Sequence, residues 1–499
     1  MRKTFRSCIY IFIACFMALL FSIVCIAIME SSVNKNRLLM PACVAVLLSA
    51  YVFLKNLKDP AGVFHCCFCC MFVAQLFMGY LLMVEYSTWD VYAVVKNARG
   101  LVHGTYVNVG YFARYPNNIG IMLLFAGVFS ITEALWSSTS VYFLVVLNIV
   151  AIDCAVLLIV RIVQQLYNKA LACRVGVCLT LFAPLYLYVP ICYTDTFIMP
   201  FLTGVVYLAI KIVKTYGTNR YLQNSMLAFM LGVVIMLGIK IKATLIIALI
   251  ASCFYWAYTL KPKAVFHVLS FVFVGIVTII LIWNNWIQPI SKVTDELLDE
   301  YQFPVFHWIA MGLEKSGNYN ADLVKYTASF PTYAERVTAD LSKISEQVRN
   351  LGPSGVIQQF YKKAVTYGWN FGTCYAERYI GDYGDVPRLK NILHEFFLSQ
   401  GKYHDVVYMV TQSCWIIYMG FTMVGFIKNI FSRDYHRFYI NLLLIGCMMF
   451  FMIWETHPRY ILHYSLFVVA SGVITLDSVT EWCKNRSSLL LRKLMKKSV

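Results

Sequence analysis

Charge is scarce in this sequence. Of 499 residues only 13% are Asp, Glu, Lys or Arg, while 60% are apolar. A water-soluble domain carries roughly 25% charged and 45–50% apolar residues, so the composition excludes an ordinary soluble globular chain. Regular cysteine spacing is missing too. The 17 cysteines lie mostly inside apolar runs, which argues against a disulfide framework. Internal repeats and low-complexity linkers are absent. No small-residue cleavage pattern clearly closes the first apolar run, residues 9–29, so it reads as a retained helix with a cytoplasmic N-terminus rather than a removed signal peptide.

What is present in abundance is apolar sequence of membrane-spanning length. Mean hydropathy is +0.67, and a helix needs about 20 mostly apolar residues to cross a bilayer. The expected fold class is therefore an all-α polytopic membrane protein. Twelve spans are predicted: 9–29, 38–54, 62–84, 140–162, 172–190, 196–213, 225–239, 243–260, 265–285, 405–427, 437–453 and 460–477. The short apolar segment 117–131 is ambiguous, and positive charge decides how to read it. With twelve crossings Arg161, Lys169, Arg174, Lys211, Lys214, Arg220, Lys261, Lys263, Lys428, Arg433 and Arg437 all fall on the cytoplasmic side with the basic tail, as the positive-inside rule asks. A thirteenth crossing would move most of them outside. Segment 117–131 is therefore predicted to be a re-entrant or interfacial helix at the outer face.

Six regions follow. They are N-terminal spans (1–84), a first extracytoplasmic loop with interfacial helices (85–139), a transmembrane core (140–285), an extracytoplasmic loop domain (286–404), C-terminal spans (405–477) and a basic cytoplasmic tail (478–499). Lys and Arg number 42 against 25 Asp and Glu, a formal net charge of +17. In a chain of this class that excess points to the cytoplasmic face and anionic lipid, with no nucleic-acid partner.

The unusual polar residues gather at the predicted outer face. They are Asp90, Arg114 and Tyr115 in the first loop, Tyr193 and Asp195 in "VPICYTDTFIMP", and Lys240 and Lys242 in "LGIKIKATL". His307 and Trp308 follow in "FHWIAMGL", then Glu455, His457, Arg459 and Tyr460 in "IWETHPRYILHY". A charge at bilayer depth costs about 2.5–3.5 kcal/mol at a helix centre. Each residue also has a plain reading: the lysines can snorkel, and Glu455 and Arg459 are spaced for a routine helix pair. Together they suggest one polar cavity open to the outside, suited to a lipid phosphate.

Asp90 carries two readings. Apolar residues at 91, 94, 95, 98, 101 and 102 give a helical period with one apolar face, as in an interfacial helix. Ser87 and Asp90 are spaced as a capping box, so Asp90 could serve only the helix start. A carboxylate there is stabilised as the anion, and a catalytic role requires desolvation to offset that.

With these residues in view, the chain resembles membrane glycosyltransferases of the GT-C fold. The resemblance is to bacterial members of glycosyltransferase family 39, similar to protein O-mannosyltransferases. It rests on Asp90 before an interfacial helix and on "RYPNNIG" (114–120), "YTDTFIMP" (193–200) and "KIKAT" (240–244). It continues through "HWIAMGL" (307–313), "WNFGT" (369–373) and "WETHPRY" (454–460). The chain departs from the pattern in having a lone Asp90, with Glu85 five residues before it, and in lacking a proline after Lys242. One carboxylate makes a poor divalent-cation site, so no metal or cofactor is assigned and dependence on a divalent cation stays open.

The resemblance implies inverting transfer of a hexose from a polyprenyl-phosphate sugar to an acceptor hydroxyl of a glycan, lipid or protein at the outer face of a bacterial plasma membrane. Asp90 would be the base. Arg459, with Lys240, Lys242 or Arg114, would hold the donor phosphate. Tyr115, Tyr193, Asp195, His307, Trp308, Glu455 and Tyr460 would line the substrate pocket, with Asp195 either a rival base or a partner that orients a lysine. The competing reading is a transporter or flippase for lipid-linked sugar or polysaccharide. "HCCFCC" at 65–70 lies within an apolar helix and puts adjacent cysteines on different faces, unlike the separated pairs of structural zinc; small, soft packing residues account for it better.

Overall fold

The computed structural model describes residues 2–495 except 36, 38, 84–88, 106, 217–219, 315, 371, 374–375, 377–379 and 381–387. The described residues are helical or irregular, with no strand among them. This is the architecture a bilayer imposes, since a helix satisfies its backbone polar groups within one segment. In chain order the helices are α1 (Arg2–Lys35), α2 (Leu39–Lys55), α3 (Pro60–Leu81), α4 (Trp89–Val102), α5 (Val109–Arg114), α6 (Ile119–Trp136) and α7 (Val141–Leu166). Then come α8 (Lys169–Thr180), α9 (Pro184–Leu187), α10 (Thr194–Phe197), α11 (Met199–Tyr216), α12 (Tyr221–Ile241), α13 (Ile246–Thr259) and α14 (Pro262–Ile282). A group outside the long apolar helices follows: α15 (Asp295–Tyr301), α16 (Val305–Leu313), α17 (Ala321–Ala328), α18 (Tyr333–Lys362) and α19 (Arg388–Phe397). The last three are α20 (His404–Ser432), α21 (Tyr435–Ile453) and α22 (Leu462–Met495).

Ten helical stretches among the described residues are long and apolar enough to cross a membrane, and α2 and α13 are shorter apolar helices. Local sequence starts several of them. Asp59 accepts from the Gly62 amide at 2.9 Å with Pro60 in the first turn of α3. Asp434 accepts from the amides of His436 and Arg437 at 2.9 and 3.2 Å at the start of α21. These side chains satisfy donors that a helix start leaves open.

Side-chain contacts order the two ends of the bundle. Gly79 of α3 meets Val145 and Ile149 of α7, while Gly176 of α8 meets Phe64 and Val160. Thus α3 and α7 run antiparallel. The Lys214 ammonium at the end of α11 donates to the Gln165 carbonyl at the end of α7, and Phe201 near the start of α11 packs on Gly238 near the end of α12. One end of the bundle therefore holds the C-termini of α3 and α12 and the N-termini of α7 and α11. The far end carries many of the basic residues. There Asp477 gathers Arg174 at 3.1 Å, Lys55 at 3.6 Å and the Tyr51 hydroxyl at 3.1 Å.

Two segments differ from simple rods. The stretch expected as one span at 172–190 travels from the Phe64 level to the Gly79 level, but as α8 and the single turn α9 rather than one helix. Pro184 has no amide hydrogen and stops a helix from running through. Gln75 donates to the Leu185 carbonyl at 3.2 Å, and Asn148 donates to the carbonyls of Tyr188 and Val189, each at 2.9 Å, which satisfies the broken backbone.

The second is α6, long enough to cross. Its start packs so closely on α12 that a Cβ at Gly120 would overlap the Lys240 carbonyl oxygen. Its end brings Trp136 onto Phe143 at the start of α7, ring centroids 5.4 Å apart. Both contacts are at the same end of the bundle, so α6 lies across that end. Helix α4 packs along it, with the Arg99 guanidinium over Phe129 at 5.6 Å.

The end of α15 and the turn between α17 and α18 are braced by one buried side chain. Arg336 of α18 donates to the carbonyls of Glu300 at 2.8 Å, Gln302 at 3.1 Å, Phe330 at 2.9 Å and Pro331 at 3.2 Å, and also to that of Asp299. It thereby satisfies the open carbonyls at the end of α15. A capping box of Thr332 and Glu335 starts α18, and Gly352 at φ 62° kinks it before Pro353.

Candidate functional site

The polar residues converge where α4, the turn before α6, the turn before α11, the α12–α13 junction and the α21–α22 junction meet. Asp90 sits in the first turn of α4. Its carboxylate accepts from the Tyr111 hydroxyl at 2.7 Å and from the Tyr193 hydroxyl at 3.3 Å. Asn118 links the two phenols: its amide donates to Tyr111 at 2.8 Å, and its carbonyl is 2.8 Å from Tyr193. Burial first, then the Asp90 charge, push the Tyr111 phenol well above its ordinary pKa, so it remains a hydrogen-bond donor. Ser87, the other half of the expected capping box, and Glu85 lie outside the described residues.

A second group adjoins the first through Tyr193. Lys242 Nζ is 2.5 Å from Asp195 Oδ1, and Arg459 Nε is 3.7 Å from Asp195 Oδ2. Asp195 is 2% exposed, so two cations share one buried acid. The Arg459 guanidinium lies 5.3 Å from the ring centres of both Tyr193 and Tyr460, and Lys242 lies over Tyr460 at 4.9 Å. These contacts set two cations against the Asp195 carboxylate.

Glu455 completes the cluster. It accepts from the Tyr460 hydroxyl at 3.3 Å. Burial pushes its carboxyl up to about 7, against the lowering effect of Arg459. The segment carrying it is strapped to the α16–α18 region. The Glu455 amide donates to the Trp308 carbonyl at 3.0 Å and the Thr456 amide to that of Gly317 at 2.9 Å. The buried Lys363 ammonium donates to the carbonyls of Met452 at 2.7 Å and Trp454 at 2.6 Å, which suits a cation at the end of α21.

Not every candidate reaches this cluster. Lys240 turns onto the Trp283 ring at 4.7 Å, away from its neighbour Lys242. Lys240 still belongs to α12, whereas Lys242 is extended at φ −154°, so the two side chains leave in different directions. Arg114 lies over the Phe303 ring at 5.5 Å. Tyr115 packs near Phe303 and Trp308, with ring centroids 5.7 and 6.1 Å away. Trp308 stacks on Trp454 at 6.4 Å. His307 faces inward: its Nδ1 is 2.7 Å from the Thr327 hydroxyl, which donates to Asp340 at 2.7 Å. Burial pushes His307 down to about 4 and Asp340 up to about 6, so the imidazole is neutral and the trio braces this region internally.

Tyr111, Asn118 and Lys363 belong to the site and were not singled out from sequence. "YFARYPNN" held the first two, but nothing in it distinguishes a phenol that binds Asp90 from a packing tyrosine. The chemistry the arrangement can perform is anion binding at Lys242 and Arg459 beside an oriented carboxylate at Asp90.

Among solved structures, the chain is similar to the archaeal oligosaccharyltransferase AglB from Archaeoglobus fulgidus in complex with an inhibitory peptide and a dolichol-phosphate. The TM-score is 0.45 with 12% identity, covering 87% of this chain and 52% of that one. It is also similar to the apo form of the Archaeoglobus fulgidus oligosaccharyltransferase, with TM-score 0.41, 12% identity and coverage of 86% and 52%. The chain spans about half the length of these proteins. No curated protein matches it. A family model described as "conserved hypothetical integral membrane protein" matches residues 9–478, and the chain therefore belongs to that family of integral membrane proteins.

Proposed function

We propose that the chain is a GT-C glycosyltransferase, similar to family 39, that transfers a hexose from a polyprenyl-phosphate donor to an acceptor hydroxyl with inversion. The observation that supports this reading best is the pairing of Lys242 and Arg459 around the single acid Asp195, next to Asp90. Two cations against one carboxylate leave cationic charge here that Asp195 alone does not cancel. A leaving phosphate needs fixed positive charge where its own charge grows, and the planar guanidinium of Arg459 suits two-point phosphate binding.

In the proposed step the acceptor oxygen attacks the anomeric carbon and its proton passes to Asp90. The bond from that carbon to the phosphate oxygen breaks, and polyprenyl phosphate leaves with the electron pair. Tyr111 and Tyr193 hold the Asp90 carboxylate in one orientation, which is the positioning a general base needs. Because many of the bundle's basic residues sit at the end opposite this cluster, the positive-inside rule supports a cluster facing outward from a plasma membrane.

Purified protein in nanodiscs, given a polyprenyl-phosphate hexose and a mixed pool of cell-envelope acceptors, should release polyprenyl phosphate, and Asp90→Asn should abolish the release. Release that is equal in the two proteins would remove Asp90 as the base, and release absent from both while the sugar lipid changes leaflet would overturn the reading in favour of a transporter.

A further inference from the structure

Beside Asp90, on the flank away from Lys242 and Arg459, lies an open cavity of about 490 Å³ lined by Asn108, Val109, Gly110, Tyr111, Arg114, Leu297 and Tyr301. One wall is α5 and the other is α15. Tyr111 belongs to both places: it lines the cavity, and its hydroxyl binds Asp90 at 2.7 Å.

The charge of this cavity is unusual. Helix α15 carries four acids, Asp295, Glu296, Asp299 and Glu300, and all four are exposed. None of the four is a lining residue: from this helix Leu297 and Tyr301 line the cavity at helical spacing, and Glu300 hydrogen-bonds the Tyr301 side chain. Arg114 is therefore the one charged lining residue. Among the described residues it forms no ion pair, and its guanidinium is backed by the Phe303 ring. A cation in the wall of an open, polar cavity is suited to an anionic group on a ligand. The other polar lining groups, the phenols of Tyr111 and Tyr301 and the amide of Asn108, can bind hydroxyls. The volume falls in the range of ordinary ligand pockets, roughly 300–1,000 Å³, and accommodates a sugar unit or two.

We propose that this cavity is an acceptor subsite for a saccharide bearing an acidic group, held by Arg114 and placed so that a hydroxyl reaches Asp90 past Tyr111. Its role as an acceptor site rests on the transferase reading above; the binding of an acidic saccharide does not. Arg114 would then serve the acceptor and not the donor phosphate.

The test reads binding without turnover. Saturation-transfer NMR on the full chain in neutral-lipid nanodiscs compares methyl glucuronide with methyl glucoside, which differ only in the carboxylate. The glucuronide should bind about tenfold more tightly. Arg114→Gln should remove that preference, and Leu297→Trp, which fills the cavity from a half-buried position in its wall, should weaken both sugars. Asp90→Asn should keep the preference. Equal binding of the two sugars, or a preference that survives Arg114→Gln, would overturn the proposal. So would loss of the preference in nanodiscs containing phosphatidylglycerol, which would assign Arg114 to a lipid headgroup. A chain that prefers the glucuronide yet releases no polyprenyl phosphate from any donor would keep the subsite and remove the transferase reading.

Discussion

Lys242 Nζ lies 2.5 Å from Asp195 Oδ1, and the same carboxylate faces Arg459. Removing one partner of a buried pair leaves the others uncompensated, at a cost of about 3–5 kcal/mol. Asp195→Asn strands two cations, whereas Lys242→Met leaves Asp195 with Arg459. Thermal unfolding in detergent should therefore show the larger loss for Asp195→Asn. Equal midpoints for the two variants would mean that Asp195 does not hold both cations.

Asp90→Asn and Tyr111→Phe should separate base from holder. The first should abolish transfer with an unfolding midpoint close to that of the wild type. The second removes one hydrogen bond to a charged group, worth about 1.5–3 kcal/mol, and should slow transfer by about 10- to 100-fold without abolishing it. The readout is the initial rate of polyprenyl-phosphate release. Full activity of Asp90→Asn would leave that residue only the start of α4 to serve.

Glu455 gives a pH dependence of definite sign. Burial raises its carboxyl from the ordinary value of 4.5 to about 7. The folded protein therefore holds this proton more tightly than the unfolded chain does. The resulting stabilisation is fully present below pH ~4.5 and is lost as pH rises through about 7. Glu455→Gln should flatten the fall of the unfolding midpoint across that window. A fall of equal slope in the variant would place the titration elsewhere.

Arg336 is the brace whose loss should be local. Arg336→Met leaves the α15 carbonyls without their donor, and limited proteolysis should cut within 286–404 faster than in the wild type while the spans stay protected. Cleavage first among the spans would contradict the brace.

Gly120 tests the seat of α6. A Cβ there overlaps backbone, not a flexible side chain. Gly120→Val should lower the unfolding midpoint by several degrees, consistent with an overpacking cost of about 1–3 kcal/mol. Gly127 faces open space, and Gly127→Val should leave the midpoint nearly unchanged.

The sequence announced Asp90, Tyr193, Asp195, Lys242, Glu455, Arg459 and Tyr460 because polar side chains stand out in apolar surroundings. The structure brings these seven together through direct contacts or shared neighbours. The partners of polar residues were harder to read, because tertiary packing chooses them. His307 looks like a pocket residue until Thr327 and Asp340, 20 and 33 positions later, are seen to hold it. Lys240 and Lys242 look equivalent until α12 is seen to end between them at Ile241. The break after α8 was legible in principle, since Pro184 marks it; hydropathy alone reads straight through it.

Helix α6 has a consequence for how the protein is made. An insertion machinery that judges segments by apolar length would accept 116–136 as a crossing and thread everything after it the other way round. The mature arrangement returns that segment to the side it came from. The placement of α6 is therefore expected to be fixed only after the later chain has emerged, when the Lys240 backbone can offer Gly120 a seat. A ribosome stalled just beyond Trp136 should yield a nascent chain of inverted topology, one that further synthesis corrects.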